Sequence, residues 1–495
     1  MRGAGIGAHS NCESRGHRSS RTTLPIVGRV LACSASVLAI AVLVAVLVGV
    51  LGDGGPAPPL PGIGRPPRAG DPFAYAPARE AVFEARAAAG SANVLFAKSP
   101  GGVLATAARV AGFRRLIDAA AAGSGVDPGT LEAIVFVESA GRPDVIAGTD
   151  PSAAAGLTQI LAQTGQALLG MHIDLVRSRQ LTRSIDDAYA RGEAGLLARL
   201  QRARAKVDDR FDPRKALAAT VRYLQLARGR LGRSDLAVVS YHMGIGNLLR
   251  VFGDYDGGGS VPYAQLYFDT APGHHATAYD LLSGFGDDSS LYYWRVLEAR
   301  TIMDLYRSNR VALIRLAALQ GAAPSDAEVL HPPDRTPSFG DPDALSAAYA
   351  DRTLLPLPAN VARLGLAYDP GIGSLAPRLG APAALYRGLR PPVLDLLVEL
   401  AARVRALSHG SAPLTVAGAV TDARYQQLLG AGDPLASTGW SFQIARRYAS
   451  RAQALALQAM LDRLQALNLI AWTRAPATIE VTVASDAARV IVDGP

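Results

Sequence analysis

The sequence predicts a mainly α-helical fold with a smaller α+β part after it, behind one N-terminal transmembrane helix. Three observations lead there. An uncharged apolar run occupies residues 30–51. Helical patterning dominates from about residue 76, and strand signals are nearly absent before 410. Strand-like segments then enter at 414–420 and 478–484, between apolar helices at 391–407 and 448–466.

The apolar run of 22 residues has a helical length of about 33 Å, enough for a hydrocarbon core of roughly 30 Å. Residues 1–29 carry Arg2, Arg15, Arg18, Arg21 and Arg29 against Glu13. This basic segment is expected to stay in the cytoplasm, which places the bulk of the chain outside the cell membrane as a single-pass protein. A cleaved signal peptide is the alternative. The apolar region is long for a signal core, and Gly52-Asp53-Gly54-Gly55 lacks a clear Ala-x-Ala site. Residues 52–75, with Pro56, Pro58, Pro59, Pro61, Pro66 and Pro67, read as a stiff, extended linker.

Helices are expected at 78–89, 105–122, 127–139, 189–207 and 214–231. Asp127-Pro128 is an entry signal, a capping side chain before proline at the first helical position, with Glu132 close behind. These helices define a first domain over 76–307. Recurrent prolines from Pro332 to Pro377 mark 308–385 as a linker and the start of a second domain, and 386–495 reads as the α+β domain.

At 495 residues, with 49% hydrophobic residues, the chain can hold two or three cores. Net charge is +8, but only Lys98, Lys206 and Lys215 are lysines. Arginine-dominated basicity without aromatic-interleaved basic runs argues against nucleic-acid binding. A mildly basic surface suits an anionic cell wall. Cys12 and Cys33 are the only cysteines, so the part beyond residue 52 has neither a disulfide nor a thiolate metal site.

Three segments carry chemistry. Glu138 ends the mostly apolar run from Leu131 to Val137 and precedes Ser139-Ala140-Gly141. Gly156-Leu157-Thr158-Gln159 follows, and Ser240-Tyr241-His242-Met243-Gly244-Ile245-Gly246-Asn247 comes later. A carboxyl at the end of a buried helix is a candidate general acid, because burial disfavours its charged form. In this order and spacing the segments resemble the lysozyme-like lytic transglycosylases of bacterial peptidoglycan, the SLT-domain family. That family carries Glu-Ser, then Gly-Leu-Met-Gln, then Ala-Tyr-Asn-Ala-Gly-Pro-Gly. Phe211-Asp212-Pro213, leading to Tyr223, resembles the helix before its Tyr-Asn motif, so the likeness covers roughly 113–255.

The resemblance implies a lysozyme-like helical domain that cleaves the MurNAc–GlcNAc bond with Glu138 as sole acid/base, leaving 1,6-anhydro ends without a cofactor. It implies substrate contacts from Ser139, Gln159, Tyr223, Tyr241 and His242. Thr158 stands where the family has Met, and His242 where it has Asn; His titrates near neutrality and Asn does not. Asp144 and Asp150 are the candidates for a second carboxylate, which a hydrolytic lysozyme would use. A wall-binding protein that does not cut is the further alternative.

Residues 387–490 resemble zinc D-Ala-D-Ala carboxypeptidases through Arg387-Gly388-Leu389-Arg390-Pro391 and Ser437-Thr438-Gly439-Trp440-Ser441-Phe442-Gln443-Ile444. In that alignment Ala436, Gln443 and Glu480 occupy the ligand positions. Alanine cannot bind metal and Gln is a poor zinc ligand, so no metal is expected there. The resemblance implies a degenerate module that holds or positions wall peptide.

Overall fold

The Asp127-Pro128 signal works locally as its residue types dictate. The Asp127 side chain accepts from Thr130 N at 2.9 Å, and the helix runs Pro128–Ser139. Such a cap stabilises a helix by about 1 kcal/mol. The exit is equally marked. Ala140 and Gly141 both take left-handed φ values, 54° and 72°, and a Cβ on Gly141 would lie 2.8 Å from Val110 N. The chain therefore turns sharply just after Glu138, against the helix Val103–Ala111.

The structure is a computed structural model that describes residues 70–492 except 258, 323–324, 360 and 431. The expected transmembrane helix, the basic segment before it and most of the proline-rich linker lie outside the described residues. No helix among the described residues is long and apolar enough to cross a membrane.

The described chain is mainly helical with a C-terminal mixed sheet. The helices Glu80–Gly90, Pro128–Ser139, Ala194–Val207 and Pro213–Leu231 fall close to the expected spans. The expected 105–122 helix is divided into Val103–Ala111 and Arg114–Ala121 at Gly112-Phe113. The stretch 308–385, read as linker and domain start, contains the helices Arg310–Ala322 and Pro342–Ala350.

Among the described residues seven strands follow in order: β1 Leu355–Pro356, β2 Leu366–Tyr368, β3 Gly388–Leu389, β4 Leu414–Gly418, β5 Ser441–Ala445, β6 Ile470–Arg474 and β7 Thr478–Val483. β1 pairs only with β3, and the other five form one sheet in the order β2-β4-β5-β7-β6. β2 runs parallel to β4, and the remaining pairs are antiparallel. One sheet face carries Phe442, Ile444, Ile479, Val481 and Val483, all buried.

That apolar face belongs to the same buried cluster as Leu131, Ile134, Leu217 and Trp294 of the helical part. Polar contacts cross the same junction. Arg86 pairs with Asp486 at 2.5 Å, and Arg463 pairs with Asp71 at 3.2 Å. A Cβ on Gly90 would lie 2.9 Å from the Gln465 carbonyl oxygen, so the helices Glu80–Gly90 and Arg451–Ala466 approach closely.

Candidate active site

Glu138 sits in the last turn of the Pro128–Ser139 helix, with its side chain partly buried. Its Oε1 accepts a hydrogen bond of 2.6 Å from the Tyr292 hydroxyl. Tyr292 opens the helix Tyr292–Ser308 and is 1% exposed. Burial pushes the Glu138 carboxyl up to about 7, against the opposing pull of the Tyr292 hydrogen bond. Near neutral pH the group is therefore divided between its protonated and ionised forms. Its partner at this point is a hydroxyl and not a cation.

Three tyrosines cluster here. Tyr241 stacks on Tyr292 with centroids 6.4 Å apart, and Tyr223 meets Tyr241 edge-on at 5.2 Å. Burial, then the nearby Glu138 carboxylate, raise the Tyr241 hydroxyl, so it keeps its proton. It donates to the Thr158 carbonyl at 2.8 Å and lies 3.2 Å from Thr220 Oγ1. This ties Gly156-Leu157-Thr158-Gln159 to the helix Ser234–Met243. Tyr223 is buried and donates to the Ser240 carbonyl at 2.5 Å. It braces the aromatic cluster from within.

The remaining expected contacts are divided. Ser139 is 2% exposed and its hydroxyl donates to the Val135 carbonyl at 3.2 Å, a bond back along its own helix. Gln159 has a left-handed φ of 50°, and its amide NH2 donates to Val145 O at 3.1 Å and Gly156 O at 2.8 Å. His242 is exposed, stacks on Tyr292 at 5.2 Å, and places Nδ1 3.0 Å from Ser289 Oγ. Partial desolvation of the ring, which stacks on Tyr292, lowers its pKa, partly offset by Asp288, which is itself paired with Arg295 at 2.7 Å. Thr158 is fully buried, and its hydroxyl has no hydrogen-bond partner among the described residues.

The loop that bears Gln159 hangs on a buried ion pair. Arg210 and Asp208 are both fully buried and bonded at 2.7 Å. Arg210 also donates to the carbonyls of Ala153 (2.9 Å), Ile160 (3.3 Å) and Pro151 (2.5 Å). Gly156, at φ 81°, passes so close that any Cβ would overlap the Arg210 carbonyl. The motif's glycine is thus a packing requirement at this point. Asp150 is held by Arg179 at 2.8 Å, and Asp144 reaches Arg204 at 3.5 Å. Neither of these carboxylates bonds to Glu138.

Tyr292 and the Asp208–Arg210 pair are the residues that sequence reasoning missed. Tyr292-Tyr293-Trp294 is a visible aromatic run, but its pairing with Glu138 spans 154 positions. At the other end of the chain, Gln443 on β5 and Glu480 on β7 are cross-strand partners. Burial, reinforced by acidic Asp433, pushes Glu480 up to about 8.

The helix-end glutamate, the glycine-turned loop and the tyrosine cluster thus lie together in the structure. Residues 115–187 match the family model of the transglycosylase SLT domain, a span that includes Glu138 and Gln159. The chain thus carries an SLT domain, typically that of lytic transglycosylases, which implies action on peptidoglycan glycan strands. No curated protein matches the chain.

Proposed function

We propose that the protein is a membrane-anchored lytic transglycosylase in which Glu138 acts as the single acid/base. The observation that carries this is the Glu138 carboxyl, raised to about 7 and held by the Tyr292 hydroxyl at 2.6 Å. The protonated carboxyl gives its proton to the glycosidic oxygen as the MurNAc C1–O bond breaks. The resulting carboxylate then takes the proton of the sugar's own 6-hydroxyl, whose oxygen closes on C1. That transfer restores the protonated Glu138, the first proton leaves on the departing sugar's hydroxyl, and the product ends in a 1,6-anhydro ring. No water and no second carboxylate enter.

An acid/base near its own pKa at neutral pH can serve in both directions, which suits a step that first gives and then takes a proton. Tyr292 orients the carboxyl, and Tyr241 fixes the Thr158-Gln159 loop beside it. His242 offers an exposed ring edge to the substrate, and Gln159 offers its amide oxygen. Glycan strands are the substrate, the N-terminal helix is the anchor, and the bulk of the chain lies outside the cytoplasm. The C-terminal sheet region would hold wall peptide without a metal.

The experiment is mass analysis of muropeptides after incubation of peptidoglycan with wild type and Glu138→Gln. Anhydro-ended products from wild type alone support the proposal. Hydrated reducing ends would replace it with a hydrolase. Wall binding without cutting by either protein would replace it with a scaffold.

A further inference from the structure

We propose a divalent transition-metal site of zinc type formed by Asp269, His274 and His275, separate from the glycan chemistry. The segment joins the helices Tyr263–Asp269 and Ala276–Gly284. His274 Nδ1 lies 3.6 Å from Asp269 Oδ1, and His275 Nε2 lies 3.7 Å from Asp269 Oδ2. One ligand atom from each of the three residues falls within 4.8 Å of the others. Ligands about 2.0–2.1 Å from a tetrahedral zinc ion stand roughly 3.3–3.4 Å apart, so each histidine needs to approach its carboxylate oxygen by a few tenths of an ångström, and the three ligand atoms to draw together by about 1.4 Å at most.

Two features show that the cluster is built. Tyr255 donates to Asp269 Oδ2 at 2.7 Å and is itself bonded by Gln265 Nε2 at 3.2 Å. A ligating carboxylate is oriented by such an outer donor. His275 has a φ of 52°, an uncommon conformation for a residue with a side chain, and its ring packs on Tyr255 at 4.2 Å. The left-handed turn thus brings two consecutive histidines to one carboxylate, their rings 4.2 Å apart.

The donor set is two imidazoles and one carboxylate, which suits zinc, cobalt or nickel better than calcium or magnesium. His274 Nδ1 also lies 2.9 Å from the Asp269 carbonyl. Coordination through Nδ1 exchanges that contact for the metal, and the neutral ring then carries its proton on Nε2. The His274 side chain is 58% exposed, which leaves the remaining coordination position to water. The loop abuts the sheet-bearing part: Arg463 reaches the Thr270 carbonyl at 3.5 Å, and a Cβ on Gly273 would lie 3.2 Å from Leu407 O. The bound ion would brace this junction.

The test is calorimetric titration of the chelator-stripped, full-length protein with zinc chloride. The comparison proteins are Asp269→Asn, His275→Asn and, as a control, His172→Ala. Asn tolerates the left-handed turn and can keep the Tyr255 bond, so both variants should fold; circular dichroism checks this. His9, His17, Cys12 and Cys33 lie on the same chain, so the change on substitution is the readout. We expect one site at micromolar affinity or tighter, weakened at least about tenfold in both site variants and unaltered in the control. We also expect zinc to raise the melting temperature of wild type and not of His275→Asn. Absence of zinc binding, or binding equal in all four proteins, would overturn the proposal. Neither outcome bears on glycan cleavage, which the muropeptide assay reads separately.

Discussion

Two glutamates share the Pro128–Ser139 helix, Glu132 near its start and Glu138 at its end, and their surroundings differ in kind. Glu132 is 0% exposed, yet its Oε2 meets Arg307 at 2.5 Å and Arg114 at 3.2 Å. Glu138 meets a tyrosine hydroxyl. A buried carboxylate with two guanidinium partners is compensated and serves the fold. At Glu138 desolvation outweighs the single hydrogen bond from a neutral donor, so the protonated form is favoured relative to an ordinary carboxyl. Burial alone therefore does not set the state of a carboxyl; the charge of its neighbours decides whether burial leaves it ionised or protonated.

The largest expected effect separates the two directly. Glu138→Gln should lower anhydro-muropeptide release by about 10²–10⁴-fold, the usual scale of general acid–base catalysis. Glu132→Gln should leave the rate within about tenfold and act mainly on stability. Comparable losses of rate from both substitutions, in folded proteins, would erase the distinction.

Removing both cations should turn Glu132 into an uncompensated buried charge. The double variant Arg114→Ala, Arg307→Ala should lose about 3–5 kcal/mol, seen as a lower denaturant midpoint at unchanged slope. Stability within about 1 kcal/mol of wild type would mean the pair contributes little.

Glu138 should behave in the opposite sense. Its folded value of about 7 exceeds the ordinary value of 4.5, so ionisation costs stability. The contribution of the neutral form is complete below pH 4.5, fades as pH rises through about 7, and is gone above it. Glu138→Gln should therefore be more stable than wild type at pH 8 by about 1–3 kcal/mol, with the gap closing toward pH 4. Melting curves across pH 4–8 read this, and a gap independent of pH would contradict it.

The smallest effect concerns the hydroxyl. Tyr292 pulls the Glu138 value down, so Tyr292→Phe should move the alkaline limb of the pH–rate profile upward. The rate should fall by roughly tenfold or less, in line with the loss of one hydrogen bond to a carboxyl. An unmoved limb would remove Tyr292 from the site.

Much of this helix was legible in the sequence. Asp127-Pro128 announced its start, and the apolar run before Glu138 announced burial at its end. The SLT-like motifs put Gln159 and Tyr241 at one site as substrate contacts; in the structure the Tyr241 hydroxyl is bonded to the Thr158 carbonyl, and the hydroxyl on Glu138 is that of Tyr292. Long-range partners were not legible. Glu132 was read as a helix-entry acid, and only tertiary packing reveals its arginines. Tyr292 and Arg210 act through contacts that no local pattern encodes. The strand Ser441–Ala445 has no such signal, because Ser441-Phe442-Gln443-Ile444 is too short for its alternation to stand out.

The most direct measurement is a titration of the Glu138 carboxyl carbon by nuclear magnetic resonance in protein labelled at glutamate, with Glu138→Gln to assign the signal. A midpoint near 7 that disappears in the variant is the result this account predicts. A Glu138 signal that titrates near 4.5, as an ordinary solvated carboxyl does, would contradict it.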